Sequence, residues 1–345
     1  MFNKKSKFEL KKDLEKESFQ RITCSFYRYC AIDHPEALRN QLYQDLSNLK
    51  ILGRVYVAQE GINAQISVPD HKWDGFKDYI NASSILKGIK LKKAVQEGLS
   101  FLKLTIKVKE EIVAYNLPKD TYDINKVGKH LSAKEFNTSI DQDDAVVVDM
   151  RNYYESEVGK FEGAITPDVD RSKELLPEVA KLLADKKDKK LHLYCTGGIR
   201  CEKASSYLLK QGFKEVYQLD GGIVQYAHDI KKENLPSKFI GKNFVFDNRL
   251  GEKVTDHVIG KCHQCRQKAD SHTNCANDAC HILFIQCEDC ENKYDKCCSD
   301  NCRDFAQLDM KTQKELRKDV TKTVSSGKLS SKIKPKLYKL FNYWK

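Results

Sequence analysis

Leu191-His192-Leu193-Tyr194-Cys195-Thr196-Gly197-Gly198-Ile199-Arg200-Cys201 puts a cysteine at the end of a short apolar run, with two adjacent glycines behind it. A run of this length and composition forms a buried parallel strand. Residues 203–211 read as a helix: Ala204 and Leu208 share a face, and Gly212 stands where a glycine closes a helix. Cys195 therefore ends a strand, and the loop after it feeds a helix N-terminus. Adjacent glycines let the loop curl so that successive N–H groups point inward, as in an anion-binding nest. A thiolate among those donors, near the positive end of a helix and beside Arg200, has a lowered pKa. The alternative is a packing cysteine, which has no need of Gly-Gly and Arg within five residues.

Loop length narrows the chemistry. Four residues separate Cys195 from Arg200. Cysteine phosphatases of related architecture carry five and cradle a phosphate, whereas the shorter loop suits a terminal sulfur on the cysteine. The stretch 195–201 resembles a rhodanese active-site loop, with Thr196, Gly197, Gly198, Ile199 and Cys201 around Cys195 and Arg200.

Strands and helices alternate around this loop. A capping box, Ser132 with Glu135, starts a helix, and Ala145-Val146-Val147-Val148-Asp149 is an apolar run ending in a carboxylate. Residues 175–184 read as a helix and 215–219 as a strand, closing on Asp220-Gly221-Gly222. This is an α/β domain over residues 125–235 with a parallel sheet, whose loop sits at a strand's carboxyl end, where such sheets bind ligands. Asp149-Met150-Arg151, Glu155 and Asp220-Gly221-Gly222 also resemble rhodanese motifs. The resemblance makes Asp149 and Arg151 an active-site wall; a structural ion pair at the strand end is the other reading.

Upstream, residues 22–115 give strand 22–30, helix 35–49 opened by Pro35, hairpin 54–68, a helix from Asp70 and strand 101–108. That βαββαβ order predicts a ferredoxin-like sandwich and resembles acylphosphatase-type domains. Glu60-Gly61 reads as a turn without catalytic chemistry, although small sheets of this shape also serve as RNA platforms. Residues 1–21 form a charged extension, frayed or loosely helical.

Downstream, residues 225–232 read as a helix and 244–254 as a hairpin. Nine of the thirteen cysteines then fall between Cys262 and Cys302. Close pairs in a chain without a secretory signal point to metal rather than disulfides. Cys262 with Cys265, Cys275 with Cys280, Cys287 with Cys290, and Cys297 or Cys298 with Cys302 can complete two four-cysteine zinc sites within residues 236–308. Sequential and interleaved pairings both close two tetrahedra, and His263, His272 or His281 can replace a thiol.

The net charge is +11, and residues 311–345 hold eleven Lys/Arg against two acids, which is +9. A basic tail over 309–345 that mixes lysines with Tyr338, Phe341, Tyr343 and Trp344 suits a polyanion; a solvated end is the alternative. No run of eighteen apolar residues exists and residues 4–17 carry no apolar core, so neither a membrane span nor a secretory signal is expected. A cytoplasmic location follows. No feature of the sequence specifies an oligomeric state.

Glu60-Gly61-Ile62-Asn63, the 195–201 loop and His272-Thr273-Asn274-Cys275-Ala276-Asn277 occur in this order. On that combination the chain resembles the bacterial oxygen-dependent tRNA uridine hydroxylases, rhodanese-domain proteins that make 5-hydroxyuridine at the wobble position. The resemblance implies Cys195 as the catalytic cysteine, acting through a persulfide, with Arg200 and the loop amides stabilising the anion. It implies molecular oxygen as co-substrate and the tRNA anticodon loop as partner. The residues themselves show no flavin or NAD fingerprint, and alone they point to sulfur transfer from a donor such as thiosulfate. A non-enzymatic adaptor is a third reading, weighed against by the intact Cys195 and Arg200.

Overall fold

The computed structural model describes residues 5–316. Ser6 and Glu9 form a capping box that starts α1 (Lys7–Glu15), so part of the charged extension is helical. Then come β1 (Arg21–Tyr29), α2 (Pro35–Asn48), β2 (Leu52–Ala58), β3 (Gly61–Pro69) and α3 (Trp73–Ala82), in the expected order. Period-2 alternation sends Cys24, Phe26, Val55, Val57, Ile62, Ala64 and Ile66 to one face. Leu42 and Leu46 of α2 and Phe76 and Ile80 of α3 cover that face.

The closing strand is not the one the sequence suggests. β4 (Lys92–Lys93) pairs antiparallel with β1 and completes the order β4-β1-β3-β2. β5 (Leu104–Val108), inside the expected strand 101–108, instead adds a fifth strand parallel to β2 at the opposite edge. Two adjacent lysines have no alternation and poor strand propensity, so only their pairing with Cys24 and Ser25 identifies them as a strand.

The second unit contains β6 (Lys129–Leu131), α4 (Ala133–Ser139), β7 (Ala145–Asp149), α5 (Tyr153–Ser156), β8 (Gly159–Phe161), α6 (Ser172–Leu182), β9 (Lys190–Tyr194), α7 (Ile199–Lys210), β10 (Glu215–Leu219) and α8 (Gly222–Glu233). Strands β6-β10-β9-β7 form an all-parallel sheet. Leu191, Leu193, Val148, Leu175, Val179, Ala204 and Leu208 pack together in one core cluster, and Phe136, Val147, Tyr194, Ile223 and Tyr226 in another. Covered on both sides, the sheet reads as continuous apolar runs, as parallel sheets do.

The third unit has β11 (Phe239–Asn243), β12 (Glu252–Lys253), β13 (His272–Asn274), β14 (Leu283–Ile285), α9 (Glu288–Lys293) and α10 (Asp300–Gln307). The expected hairpin 244–254 starts earlier than the sequence suggests: β11 pairs with β12 on one side and with β8 on the other. Residues 244–251 are the loop between them, and it reaches the second unit's cysteine loop. Helix resumes over 310–316. Most of the expected basic tail, 317–345, lies outside the described residues. Among the described residues, no helix is long and apolar enough to cross a membrane.

Candidate active site

Cys195 follows β9 directly and is fully buried. Gly198 caps α7 at φ 94°, a left-handed conformation that glycine adopts without strain. Its N–H donates to Cys195 Sγ at 3.1 Å. The loop also needs Gly222, since a Cβ there would stand 2.5 Å from the Cys195 carbonyl oxygen and 2.7 Å from the Gly198 nitrogen. That close approach lets the first amides of α8 hold the loop carbonyls: Ile223 N–H donates to Cys195 O at 3.0 Å and Val224 N–H to Thr196 O at 3.1 Å.

Burial pushes the Cys195 thiol up, yet it is held at about 6 against an ordinary 9.0. A hydrogen bond with Cys201, the Arg200 charge, and the Arg200 and Cys201 amides outweigh the burial. Cys201 shifts the other way, well above the usual thiol range, through burial and its hydrogen bond with Cys195. One thiolate and one thiol share the site, with Cys201 as donor.

Arg200 does not stand free beside the sulfur. Its guanidinium clamps Glu155 through two bonds of 2.6 and 2.8 Å and reaches Thr196 Oγ1 at 3.2 Å. Asp149 and Arg151 form a second buried pair, with contacts of 2.8 and 2.7 Å and no exposed side-chain surface. Tyr194, the residue before Cys195, donates its hydroxyl to Asp149 at 2.7 Å. The Asp149–Arg151 pair therefore braces the loop from behind and does not line the cavity in front of it, whereas Arg200, held by Glu155, does.

That cavity holds about 310 Å³, at the lower end of small-molecule sites. Cys195, Thr196, Gly197, Ile199 and Arg200 form one wall. The face of the first sheet turned away from its helices forms the other, with Tyr27, Arg54, Tyr56, Asn63 and Gln65. Phe246 and Arg249, from the β11–β12 loop, border it. Tyr27 Oη sits close enough to meet a Cβ on Gly198 at 2.9 Å and donates to Glu202 at 2.9 Å. Lys92, on the short β4, holds its ammonium 4.3 Å over the Tyr27 ring, and burial pushes it down to about 8.

These sheet residues, and Glu155 as the partner of Arg200, escape a reading centred on the loop. The available signal is the alternation in β3, where Asn63, Gln65 and Ser67 oppose Ile62, Ala64, Ile66 and Val68. A polar stripe at period 2 marks a face with its own task. Glu60 is more than a turn residue. Its carboxylate takes the buried Lys203 ammonium at 2.9 Å and the Ile112 N–H at 2.8 Å, tying the hairpin to α7.

The cysteines of the third unit gather in two sets: Cys262, Cys265, Cys287 and Cys290, and Cys275, Cys280, Cys298 and Cys302. Within each set the four sulfurs lie within 4.8 Å of one another. Individual Sγ separations of 3.4, 3.6 and 3.8 Å approach the edge of about 3.8 Å that a tetrahedral zinc–thiolate site requires. The sets are interleaved, Cys297 stays outside both, and no histidine enters either. None of the cysteines is in a disulfide. Either set can hold a metal ion.

Three family models match the chain in succession: the UPF0176 acylphosphatase like domain over residues 21–112, the Rhodanese-like domain over 132–229 and the Rhodanase C-terminal model over 240–303. The tRNA uridine(34) hydroxylase of Leptospira interrogans is 47% identical over 341 residues, 96% of this chain and 91% of that protein. The protein of the same name from Pectobacterium carotovorum is 49% identical over 319 residues, 92% of this chain and 90% of the relative. That of Photorhabdus laumondii is 47% identical over 319 residues, 92% and 91% of the two chains. The protein with this cysteine loop set against a ferredoxin-like sheet belongs to the tRNA uridine(34) hydroxylase family.

Proposed function

We propose that the protein hydroxylates carbon 5 of the wobble uridine, position 34, of tRNA, with molecular oxygen as co-substrate and Cys195 as its reactive group. One observation carries this reading: the Cys195 loop faces a cavity whose opposite wall is a polar sheet from another unit. A small sulfur donor needs no such second wall; a nucleobase lifted out of its stack does. Rhodanese-type sulfur transfer, which the loop alone permits, is disfavoured by that wall and by family membership.

In this reading the anticodon loop docks over the cavity mouth and offers an unstacked uridine. C5–H becomes C5–OH: one atom of O2 enters the base, and the other leaves as water, taking two electrons and two protons from a reductant outside the protein. Cys195 acts as thiolate or as the persulfide built on it. The loop amides hold the sulfur anion, while Arg200, clamped by Glu155, supplies a fixed positive charge beside it. Zinc is the metal the eight thiolates suit, four to a site, with a structural role. The protein works in the cytoplasm.

Nucleoside analysis of tRNA from a deletion strain tests the reading. Restoring the wild-type chain returns 5-hydroxyuridine and restoring Cys195→Ser does not, because a serine is a far poorer nucleophile at neutral pH and holds no persulfide. Full modification by Cys195→Ser removes the assignment of the reactive group.

A further inference from the structure

Asn63 and Gln65 stand on the cavity face of β3, one strand step from neighbours on both sides. Asn63 pairs across with Tyr27 and Tyr56, and Gln65 with Ser25 and Arg54. Their amides form a chain of fixed polarity. Asn63 Nδ2 donates to the main-chain carbonyl of Ile112 at 3.3 Å. A carbonyl only accepts, so Asn63 must present its nitrogen there and its Oδ1 to Gln65. Gln65 Nε2 donates to that Oδ1 at 3.2 Å. This leaves Gln65 with Oε1, which has no protein partner among the described residues, and one remaining N–H. A main-chain carbonyl two links away has set which end of Gln65 is which.

We propose that Gln65, oriented by Asn63, reads the Watson–Crick edge of the target base and selects uracil over cytosine; this rests on the tRNA uridine reading above. A primary amide offers an acceptor beside a donor. Uracil offers N3–H beside a carbonyl, so the two fit through a pair of hydrogen bonds. A cytosine in the same place sets a bare N3 against Oε1, lone pair to lone pair. To pair its N4–H with Oε1 and its N3 with the amide N–H, cytosine must slide by one position along its edge, which carries its C5 out of uracil's place before the Cys195 wall. Turning Gln65 over instead sets its oxygen against Asn63 Oδ1, and turning Asn63 as well sets that oxygen against Ile112 O. Either turn leaves two acceptors facing each other and unpaired, which is the arrangement that gives polar sites their selectivity. Tyr27 and Tyr56 flank Asn63, one step along the same face from the reader, and give the base aromatic surface. Geometry within the base completes the case. N3 lies across the ring from C6, so a base held at N3 by the sheet turns its C5–C6 edge toward the wall that carries Cys195.

The test measures dissociation constants of the full-length protein for one tRNA carrying U34 and for the same tRNA carrying C34. The wild type should prefer U34 by about ten- to a hundred-fold, as for a good bidentate base contact. Gln65→Met, similar in length but without the amide, should bring the ratio close to one. Asn63→Ala, which frees Gln65 to turn over, should lower the ratio by improving C34 binding more than it harms U34 binding. An unchanged iodoacetamide rate at Cys195 shows that both variants are folded. A wild type indifferent to U34 and C34, or a Gln65→Met or Asn63→Ala protein that keeps the wild-type ratio, overturns the proposal. The hydroxylase reading fails separately, on the nucleoside analysis, whatever the ratio.

Discussion

Cys201→Ala isolates what holds Cys195 as a thiolate. The Cys201 thiol is the first of the groups that stabilise the Cys195 anion, ahead of Arg200 and the two α7 amides. Alanine removes that donor, keeps its backbone amide, and orphans no charge. Losing one sulfur from a fully buried site costs about 1 kcal/mol of packing, which leaves the fold standing. A hydrogen bond to a charged group contributes about 1.5–3 kcal/mol, so the Cys195 pKa should rise from about 6 by roughly one unit or more. At pH 7 the thiolate share would then fall from about nine-tenths to about half. The assay is the pH profile of iodoacetamide labelling, read by mass on the Cys195 peptide. Stability should follow the same group. A folded pKa depressed from 9.0 to about 6 gives stabilisation that is complete above pH 9 and is lost as pH falls through about 6. Its full size is about 4 kcal/mol, and Cys201→Ala should shrink it from the acid side. A labelling midpoint that stays near 6, or moves down, refutes the idea that Cys201 donates to the Cys195 thiolate.

Metal analysis should give about two zinc ions per chain. Because the sets are interleaved, Cys262→Ala and Cys287→Ala should each lose the same single ion and the double variant no more, whereas Cys262→Ala with Cys275→Ala should lose both; additive loss from Cys262 and Cys287 would refute the pairing. Lys203→Met strands Glu60 and Glu111 beside an apolar side chain, so urea unfolding should show a loss of about 3 kcal/mol; a change below about 1 kcal/mol would mean the cluster does not hold the sheet to α7. Truncation after Leu308 removes residues 309–345, eleven Lys/Arg against three acids or a net +8, and tRNA binding should weaken and its salt dependence flatten together, by about 0.7–0.9 in log–log slope for each phosphate that is no longer neutralised. Equal affinity and slope in the truncated protein would make the tail a solvated end.

Much of this molecule is written locally. An apolar run, a cysteine, two glycines and an amphipathic stretch specify strand, loop and helix by themselves, because each signal acts within a few residues. So the Cys195 loop, the alternating β1–β3 faces and the Ser132 capping box could be placed from the letters alone. Thiol clusters able to hold a metal ion were legible for the same reason, since thiols at that density have few other uses.

What the chain's letters leave open is decided by pairings far apart in sequence. Sequential and interleaved zinc pairings satisfy the same spacing, and only the fold brings Cys262 and Cys265 to Cys287 and Cys290 rather than to Cys275 and Cys280. Lys92 and Lys93 become a strand because β1 offers an edge, against their own propensity. Glu60 reads as a turn until Lys203, 143 residues later, arrives beneath it. The polarity of Gln65 depends on a carbonyl at Ile112 that no local pattern connects to it. Sequence by itself determined the candidate reactive cysteine and the elements that carry it, because those are short-range properties of the backbone. The second wall of the cavity, the partners that tune the thiolate and the direction in which the amides point exist only once the chain has closed, because they join segments whose local sequences do not mention each other.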